Sequence, residues 1–315
     1  MADEHYTNSN EAPSPYFSVL IGRVSTEDSR RILETLNALR NQKNNPEYEV
    51  VIADRLQDET TREIAMNYPE VRLLEAGQNE SLPVLRTRAL HVARGNFIIV
   101  TEDHCVPPHN WLQSFLKVIE AEKENTAAFG GCVENGVANT ALDRATFLCE
   151  YSFFQAPVVQ GNSEILPGMN VAYRAEVLHR FDPQILESGF WETTVHPKLV
   201  SNGYKLYSSN SILLYHKKKF SLSLFLKQRF IYSQYYAGLR FRKEEKLHRG
   251  IAFLASLLLP PILLFRMIRD LRKKDQLNKN SLSALPYLFL FTLLWAIGEM
   301  WGYLAGTRSS LIKIE

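Results

Sequence analysis

The sequence predicts an α/β protein with a mostly parallel sheet, followed by C-terminal helices that associate with a membrane. The sheet is predicted because short apolar runs alternate with amphipathic stretches from Phe17 to about Trp111, a pattern typical of helices that cover both faces of parallel strands. The membrane association is predicted by two long apolar segments near the C-terminus. At 315 residues the chain has room for one such domain and an appendage.

Four strands are expected in the first half, at the apolar runs 17–21, 49–53, 71–74 and 97–101. Helices are predicted between them, where apolar residues recur at helical spacing over 32–39 and 82–93. The second half, from about Thr126 to Tyr215, shows mixed strand signals and helices near 142–154 and 192–202. In a parallel sheet, ligands bind beyond the carboxyl ends of the strands, so the end of the fourth strand is expected to carry chemistry.

The two C-terminal segments differ in how well they suit a bilayer. Residues 251–265 carry no charge but contain Pro260 and Pro261, whereas residues 284–306 carry one charge, Glu299. The second segment exceeds the roughly 20 residues that cross a hydrocarbon core. The basic loop between the segments favours the cytoplasm, so the first segment is expected to be re-entrant or interfacial. The alternative is a pair of buried core helices.

The ends and the composition give the expected location. Residues 1–15 are polar and predict a disordered tail instead of a signal peptide. Three cysteines without a CxxC pair indicate a reducing compartment. We therefore expect a cell-membrane protein whose globular domain is cytoplasmic. The net charge of +2 provides no global field for nucleic acid, so no nucleic-acid partner is expected.

A cluster of polar side chains follows the fourth predicted strand directly. Glu102, Asp103 and His104 lie at the strand end, and Pro107 and Pro108 fix the loop after them. A carboxylate and an imidazole two residues apart can reach one divalent ion. The alternative is an ordinary acidic loop after a strand.

From Phe17 to about His216 the chain resembles a family 2 glycosyltransferase of GT-A fold. The resemblance rests on six motifs in the family's order: Val50 to Asp54, Leu85 to Gly95, Glu102 to Leu112, Pro167 to Asn170, Trp191-Glu192 and Tyr215-His216. It implies a GT-A-like domain over residues 16–220, with a Rossmann-like nucleotide-binding half and an acceptor half. An amphipathic interface helix over 221–250 and the hydrophobic segments of 251–315 would follow it.

The resemblance also implies the roles of individual residues. Glu192 takes the place of the catalytic carboxylate, and Glu102, His104 and His216 would hold Mn²⁺ or Mg²⁺. Asp54, Arg86 and Asp103 would contact the nucleotide, and Gly168, Asn170 and Trp191 would lie on the acceptor side. Two motifs depart from the family pattern: DxD is Glu102-x-His104, and the acidic pair is Trp191-Glu192.

Each assignment has a structural alternative. Glu192 would otherwise cap a helix, where the dipole favours an acidic side chain, and Asp54 would form a turn after its strand. His104 and His216 would be ordinary loop and strand-end residues, and Arg86 would be exposed on a helix face. Trp191 would be a buried aromatic.

The function predicted from these residues is metal-dependent transfer of a sugar, with inversion, from a nucleotide-diphosphate donor to a lipid-linked or glycan acceptor. The alternative is a catalytically weak, membrane-tethered scaffold that binds sugar nucleotides. A nucleotidyltransferase is disfavoured, because only one glycine, Gly22, follows the first strand.

Overall fold

The computed structural model describes residues 14–122, 125–181, 189–241 and 245–307. The predicted tail, residues 1–15, lies almost entirely outside the described residues. Within them, nine strands form one sheet in the order β3-β2-β1-β4-β8-β6-β9-β5, and β7 pairs with β9. The strands are β1 Phe17–Arg23, β2 Tyr48–Asp54, β3 Val71–Glu75, β4 Phe97–Glu102, β5 Cys105–Val106, β6 Thr126–Asn135, β7 Gly161–Ser163, β8 Val171–Arg174 and β9 Lys205–His216.

Helices connect these strands and continue beyond the last of them. They are α1 Arg31–Arg40, α2 Glu59–Asn67, α3 Leu82–Val92, α4 Trp111–Ala121, α5 Ala141–Tyr151, α6 Ala175–Leu178, α7 Glu192–Ser201, α8 Leu222–Arg240, α9 Lys246–Ala255, α10 Leu259–Lys273, α11 Lys279–Leu282 and α12 Leu285–Ala305. A short 3₁₀ turn, Ser256–Leu258, joins α9 to α10.

The first four strands are parallel, as predicted: β1 pairs with both β2 and β4, and β2 pairs with β3. Both faces of β1 are buried. Val19 and Ile21 join one apolar core, and Leu20 joins the other. This alternation confirms a sheet covered on both sides, because successive side chains of a strand point to opposite faces.

The second half of the sheet is mixed. β8 lies antiparallel between β4 and β6, and β9 runs parallel to β6. Two separate strand signals near residues 205 and 212 belong to the single strand β9. The register between β6 and β9 shifts after Gly131, and this irregularity divides the apolar pattern of β9 into two runs.

The C-terminal segment shares the core of the domain. Leu271, Leu288 and Phe291 are almost completely buried in the apolar cluster that contains Phe17 of β1. Next to them, Lys274 Nζ donates hydrogen bonds to the carbonyl oxygens of Ser152, Phe153 and Gln155 at 2.9, 2.8 and 2.5 Å. The chain after residue 270 is therefore seated on the domain by both apolar and polar contacts.

Glycines allow α12 to pack closely against α8. Phe225 packs on Phe291 near the start of both helices, with ring centroids 4.5 Å apart, so the helices run side by side in one direction. A Cβ atom at Gly298 would lie 1.9 Å from Ser233 Oγ, and one at Gly302 would lie 2.4 Å from the carbonyl oxygen of Gln234. Only glycine permits this approach.

Two helical segments, Lys246–Lys273 and Leu285–Ala305, are long and apolar enough to cross a membrane by length and composition. In the most apolar window of the first, only 11% of residues are buried, against 44% in the second. The double proline lies in the first turn of α10, directly after the 3₁₀ turn that joins α9 to α10, where a missing N–H costs little. Exposed apolar side chains form one row along the first segment, at Leu247, Ile251, Leu254, Leu258, Ile262 and Phe265.

Candidate active site

Two strand ends bring Glu102, His104 and His216 together. Glu102 ends β4, and the next residues turn into β5, which pairs with β9 so that Cys105 lies opposite His216. His104 Nε2 lies 3.2 Å from Glu102 Oε2 and 3.0 Å from His216 Nε2. Residues more than 100 positions apart therefore present their side chains to one point.

Asp103 holds the imidazole of His104 in place. Its Oδ1 lies 2.7 Å from His104 Nδ1, and its Oδ2 accepts hydrogen bonds from the backbone N–H groups of Val24 and Ser25. A carboxylate at Nδ1 keeps a proton on that nitrogen, so Nε2 is the ring atom that faces Glu102 and His216. Metal-binding histidines are commonly oriented by a carboxylate in this way.

The donor set fits a divalent cation. Two ligand atoms that each lie about 2.1 Å from an ion, with a right angle between their bonds to it, are about 3 Å apart. The distances from His104 Nε2 to Glu102 Oε2 and to His216 Nε2 are close to this value. Burial would raise the pKa of Glu102, but His104 and Arg86 lower it to about 2, so the carboxylate is ionised. Burial and the neighbouring His104 hold the pKa of His216 well below its usual value. Ionised carboxylate and neutral imidazole are the forms that bind metals. Burial lowers the pKa of His104, but the carboxylates of Asp103 and Glu102 raise it above its usual value, so an ion bound here would displace the proton from Nε2. Cys105 Sγ lies within 4.8 Å of the ligand atoms of Glu102 and His104, but burial raises the pKa of its thiol well above the usual value, so it stays protonated.

Arg86 connects this corner to Glu192. Its guanidinium donates from Nη2 to Glu102 Oε1 at 3.0 Å and from Nη1 to Glu192 Oε2 at 3.3 Å. The side chain is only 4% exposed, so Arg86 is a buried bridge and not an exposed residue of a helix face. Glu102 and Glu192, 90 positions apart, therefore belong to one site.

Glu192 begins α7, so it occupies the position of a helix-start carboxylate and also lines the cleft. Its Oε1 accepts a hydrogen bond from Trp191 Nε1 at 2.9 Å. A Cβ at Gly168 would lie 2.3 Å from Glu192 Oε2, so the absence of a side chain there makes room for the carboxylate. Burial raises the pKa of Glu192, and Arg86 offsets part of that rise.

A cavity of about 590 Å³ extends from Arg86, Glu102 and Glu192 towards α8 and α12. A smaller cavity of about 90 Å³ adjoins it and contains His104 and His216. Glu102 and Tyr151 line both cavities. We call the group formed by Glu102, His104 and His216 the metal corner. The carboxylate of Glu102 therefore lies where the metal corner opens into the larger cavity.

Asp54 and Asn170 lie away from the lining of these cavities. Asp54 is buried at the end of β2, where it forms an ion pair with Arg23 at 2.8 Å and accepts a hydrogen bond from Thr61 Oγ1. Asn170 Oδ1 accepts from Trp111 Nε1 at 2.8 Å, and its Nδ2 donates to the carbonyl oxygen of Cys132. The roles assigned to Asp54 and Asn170 stay predictions.

No role was assigned from the sequence to three residues that line the cavity, Glu150, Arg229 and Trp295. Arg229 is buried, forms an ion pair with Glu150, and lies with its guanidinium carbon 5.4 Å from the ring centroid of Trp295. Trp295 belongs to the apolar helix α12 and lines the large cavity. The sequence of an apolar helix does not show which of its aromatic side chains faces a site. For Arg229 the sequence does carry a signal, because an arginine stands within a stretch of aromatic residues.

Comparison with known proteins agrees with this geometry. The chain matches the family described as glycosyl transferase family 2 over residues 26–181. The mannosyltransferase PcManGT from Pyrobaculum calidifontis, solved with GDP-Man and Mn²⁺, superposes with a TM-score of 0.54 and 16% identity, over 92% of this chain and 88% of that one. Residues 1–349 of S. aureus TarS superpose with a TM-score of 0.50 and 15% identity, over 86% and 90% of the two chains. No curated protein sequence matches the chain. The superpositions establish the GT-A fold.

Proposed function

We propose that this chain, which belongs to glycosyl transferase family 2, transfers a sugar from a nucleoside-diphosphate donor to an acceptor hydroxyl in a metal-dependent reaction that inverts the anomeric carbon. The observation that carries the proposal is the bridge of Arg86 between Glu102 and Glu192, at 3.0 and 3.3 Å. It joins a donor set suited to a divalent ion with a buried carboxylate suited to proton transfer.

The donor binds at the metal corner. Glu102, His104 and His216 would hold Mn²⁺ or Mg²⁺, and the bound ion would supply positive charge against the leaving diphosphate. The support from a relative is that PcManGT was solved with GDP-Man and Mn²⁺. Arg86 suits a phosphate, because a guanidinium offers paired donors. Asp103 acts through His104, and Asp54 contributes to the nucleotide side from the end of β2.

The acceptor hydroxyl meets Glu192. A hydroxyl has a pKa far above neutrality, so its proton must pass to a base during the attack. Glu192 accepts that proton, and its raised pKa makes it a stronger base than an exposed glutamate. Trp191 and Gly168 hold the carboxylate in position, and Asn170 supports this side of the cleft from the core.

The enzyme works at the cytoplasmic face of the cell membrane. The support is the exposed apolar surface of Lys246–Lys273 and Leu285–Ala305 and the basic residues Arg266, Arg269, Arg272 and Lys273 at the end of α10, which favour an anionic leaflet. The division that we propose is a GT-A domain over residues 16–220, an interface segment over 221–250 that contains α8 and the start of α9 instead of a single helix, and membrane-associated segments over 251–315.

The test is release of nucleoside diphosphate from a panel of sugar nucleotides, with Mn²⁺, with Mg²⁺ and after chelation. Metal-dependent release that is abolished by Glu192→Gln supports the proposal. Binding of sugar nucleotides without turnover under every condition would support the scaffold instead.

A further inference from the structure

The large cavity changes character along its length. Its inner end is polar, with Arg86, Glu102 and Glu192. The part away from these groups is lined by apolar side chains, among them Phe154, Ile165 and Trp295, with the paired Arg229 and Glu150 beside Trp295. An occupant that fills the whole cavity must therefore be polar at one end and apolar at the other.

Aromatic rings surround the space beyond Glu192. The indole of Trp191 packs edge-on to the ring of Tyr236, with centroids 6.0 Å apart, and Tyr232 stacks on Tyr236 at 6.4 Å. Rings with an apolar body and a polar tip suit partners that are partly apolar and partly hydrogen-bonding. A sugar ring, with C–H faces and hydroxyl edges, has this character.

The charges in the cavity disfavour an anionic acceptor. Among the described residues that line it, Glu102, Glu150 and Glu192 are acidic, and the two arginines, Arg86 and Arg229, are each paired with one or more of them. His196 adds no positive charge near neutral pH, because burial lowers its pKa to about 4. A phosphate placed beside Glu192 would meet like charge, and it would need no base, because a phosphate oxygen is already deprotonated.

The mouth of the cavity is apolar and exposed. Ile165 lines the cavity and is 47% exposed, and Phe153, which is 54% exposed, packs on Phe154 at 5.3 Å. Trp295 of α12 lines the same cavity, whereas the exposed apolar side chains of that helix, Leu293 and Ile297 among them, lie two positions away and therefore on its opposite face. The cavity thus opens beside the exposed apolar side chains of Ile165 and Phe153, and α12, whose other face is proposed to meet the membrane, forms one of its walls.

We propose that the acceptor is a glycolipid, whose neutral sugar hydroxyl meets Glu192 and whose hydrocarbon chain leaves between Ile165 and Trp295, and that it is not a lipid phosphate. This inference rests on the proposed function. In the reaction, the hydroxyl oxygen forms the new bond to the anomeric carbon and its proton passes to Glu192. The bond from that carbon to the diphosphate breaks, and the nucleoside diphosphate leaves with the electron pair.

The test is photo-crosslinking of the full chain with alkyl glycosides of glucose, mannose, galactose and N-acetylglucosamine that carry a diazirine in the alkyl chain, below their micelle concentrations. We expect label on peptides that contain Ile165 or Trp295. Octyl glycosides should protect far better than methyl glycosides, by about fourfold for each methylene that enters the mouth, and farnesyl phosphate should not protect.

Two tryptophans of α12 provide a matched pair. Trp295→Ala should reduce labelling at least fivefold, and Trp301→Ala should not, because Trp301 is 49% exposed and does not line the cavity. Trp295→Phe, which keeps a packed ring, should retain most of the labelling and so controls for folding.

Several outcomes would overturn the inference. Protection by farnesyl phosphate would indicate a lipid-phosphate acceptor, and equal protection by methyl glycosides would indicate a soluble glycan. Absence of label, label confined to the row of Leu247 to Phe265, or equal loss in both alanine variants would remove the cavity as the chain's path. Labelling does not require turnover. Failure of the assay for nucleoside-diphosphate release, with labelling as expected, would therefore contradict the proposed function and not the acceptor site.

Discussion

The metal corner and the Glu192 corner of the cleft are held by different means. At the metal corner, Asp103 makes four contacts with Val24, Ser25 and His104, so one carboxylate fixes both the loop and the imidazole. At the other corner, Glu192 is held by Arg86 and Trp191 and by the space that Gly168 leaves. The first corner is built where the turn after β4 leads into β5 and β5 pairs with the end of β9, and the second from side chains of α3 and α7 and the loop that holds Gly168.

This difference indicates where each part of the function can be disturbed. A change at the metal corner should alter cation and donor binding, because the side chains of Glu102, His104 and His216 face one another there. A change at the Glu192 corner should alter turnover and leave donor binding intact. The predictions below are arranged to separate the two corners.

The largest effect is expected for Glu192→Gln. The amide keeps the shape but cannot accept a proton, so turnover should fall roughly 10²–10⁴-fold. Affinity for the nucleotide with metal should change little, which calorimetry with the nucleoside diphosphate would measure. Glu176→Gln, on the exposed surface of α6, is the control. Near-normal turnover of Glu192→Gln would remove this residue from the mechanism.

Gly168→Ala should come next. The new methyl group would meet Glu192 Oε2 at 2.3 Å, so the carboxylate must move, and a displacement near 1 Å costs about 10²-fold in rate. Metal titration should be unchanged in this variant. Gly250→Ala is the matched control, because nothing lies within 4 Å of a Cβ there. Equal effects of the two substitutions would contradict the packing argument.

Asp103→Asn tests the metal corner. Loss of the carboxylate behind His104 should weaken Mn²⁺ affinity about 10–100-fold, and His104→Ala should weaken it at least as much. Both are measured by metal titration of nucleotide binding. Unchanged titration curves in His104→Ala would count against the metal site. Weaker nucleotide binding by Asp103→Asn without metal would instead indicate that Asp103 contacts the nucleotide directly.

The smallest effect concerns pH. Glu192 acts only when ionised, and burial raises its pKa above the usual 4.5, so transfer should fall as the pH drops through that raised value. Arg86 lowers the pKa of Glu192, so Arg86→Met should move the acid limb of the kcat profile to higher pH. An acid limb at the same pH in both proteins would contradict the coupling between Arg86 and Glu192.

The sequence predicted those features that depend on local pattern. The ends of β2 and β4 follow from apolar runs, and the position of Glu102 follows from the rule that ligands bind at strand ends. The convergence of His216 was predicted only through the family resemblance, because it depends on the pairing of β5 with β9, which no local pattern shows.

Other features depend on long-range packing and escaped prediction. Asp54 pairs with Arg23, 31 positions away, and an arginine at the end of an apolar strand gives no sign of its partner. Asn170 was assigned to the acceptor side, but its amide is fully buried and bonded to the core. Trp295 was read as part of an apolar segment, since only the packing of α12 on α8 decides which of its side chains lines the cavity.

The glycines at 298 and 302 have a mechanical consequence. Because the two backbones are in contact at these positions, α12 cannot shift relative to α8. The buried residues of α12, among them Phe291, also pack it against the sheet. A bilayer that holds the outer row of α12 therefore also sets the height of Glu192 above the lipid. The fold then fixes the distance from the lipid surface at which the enzyme can act on its substrate.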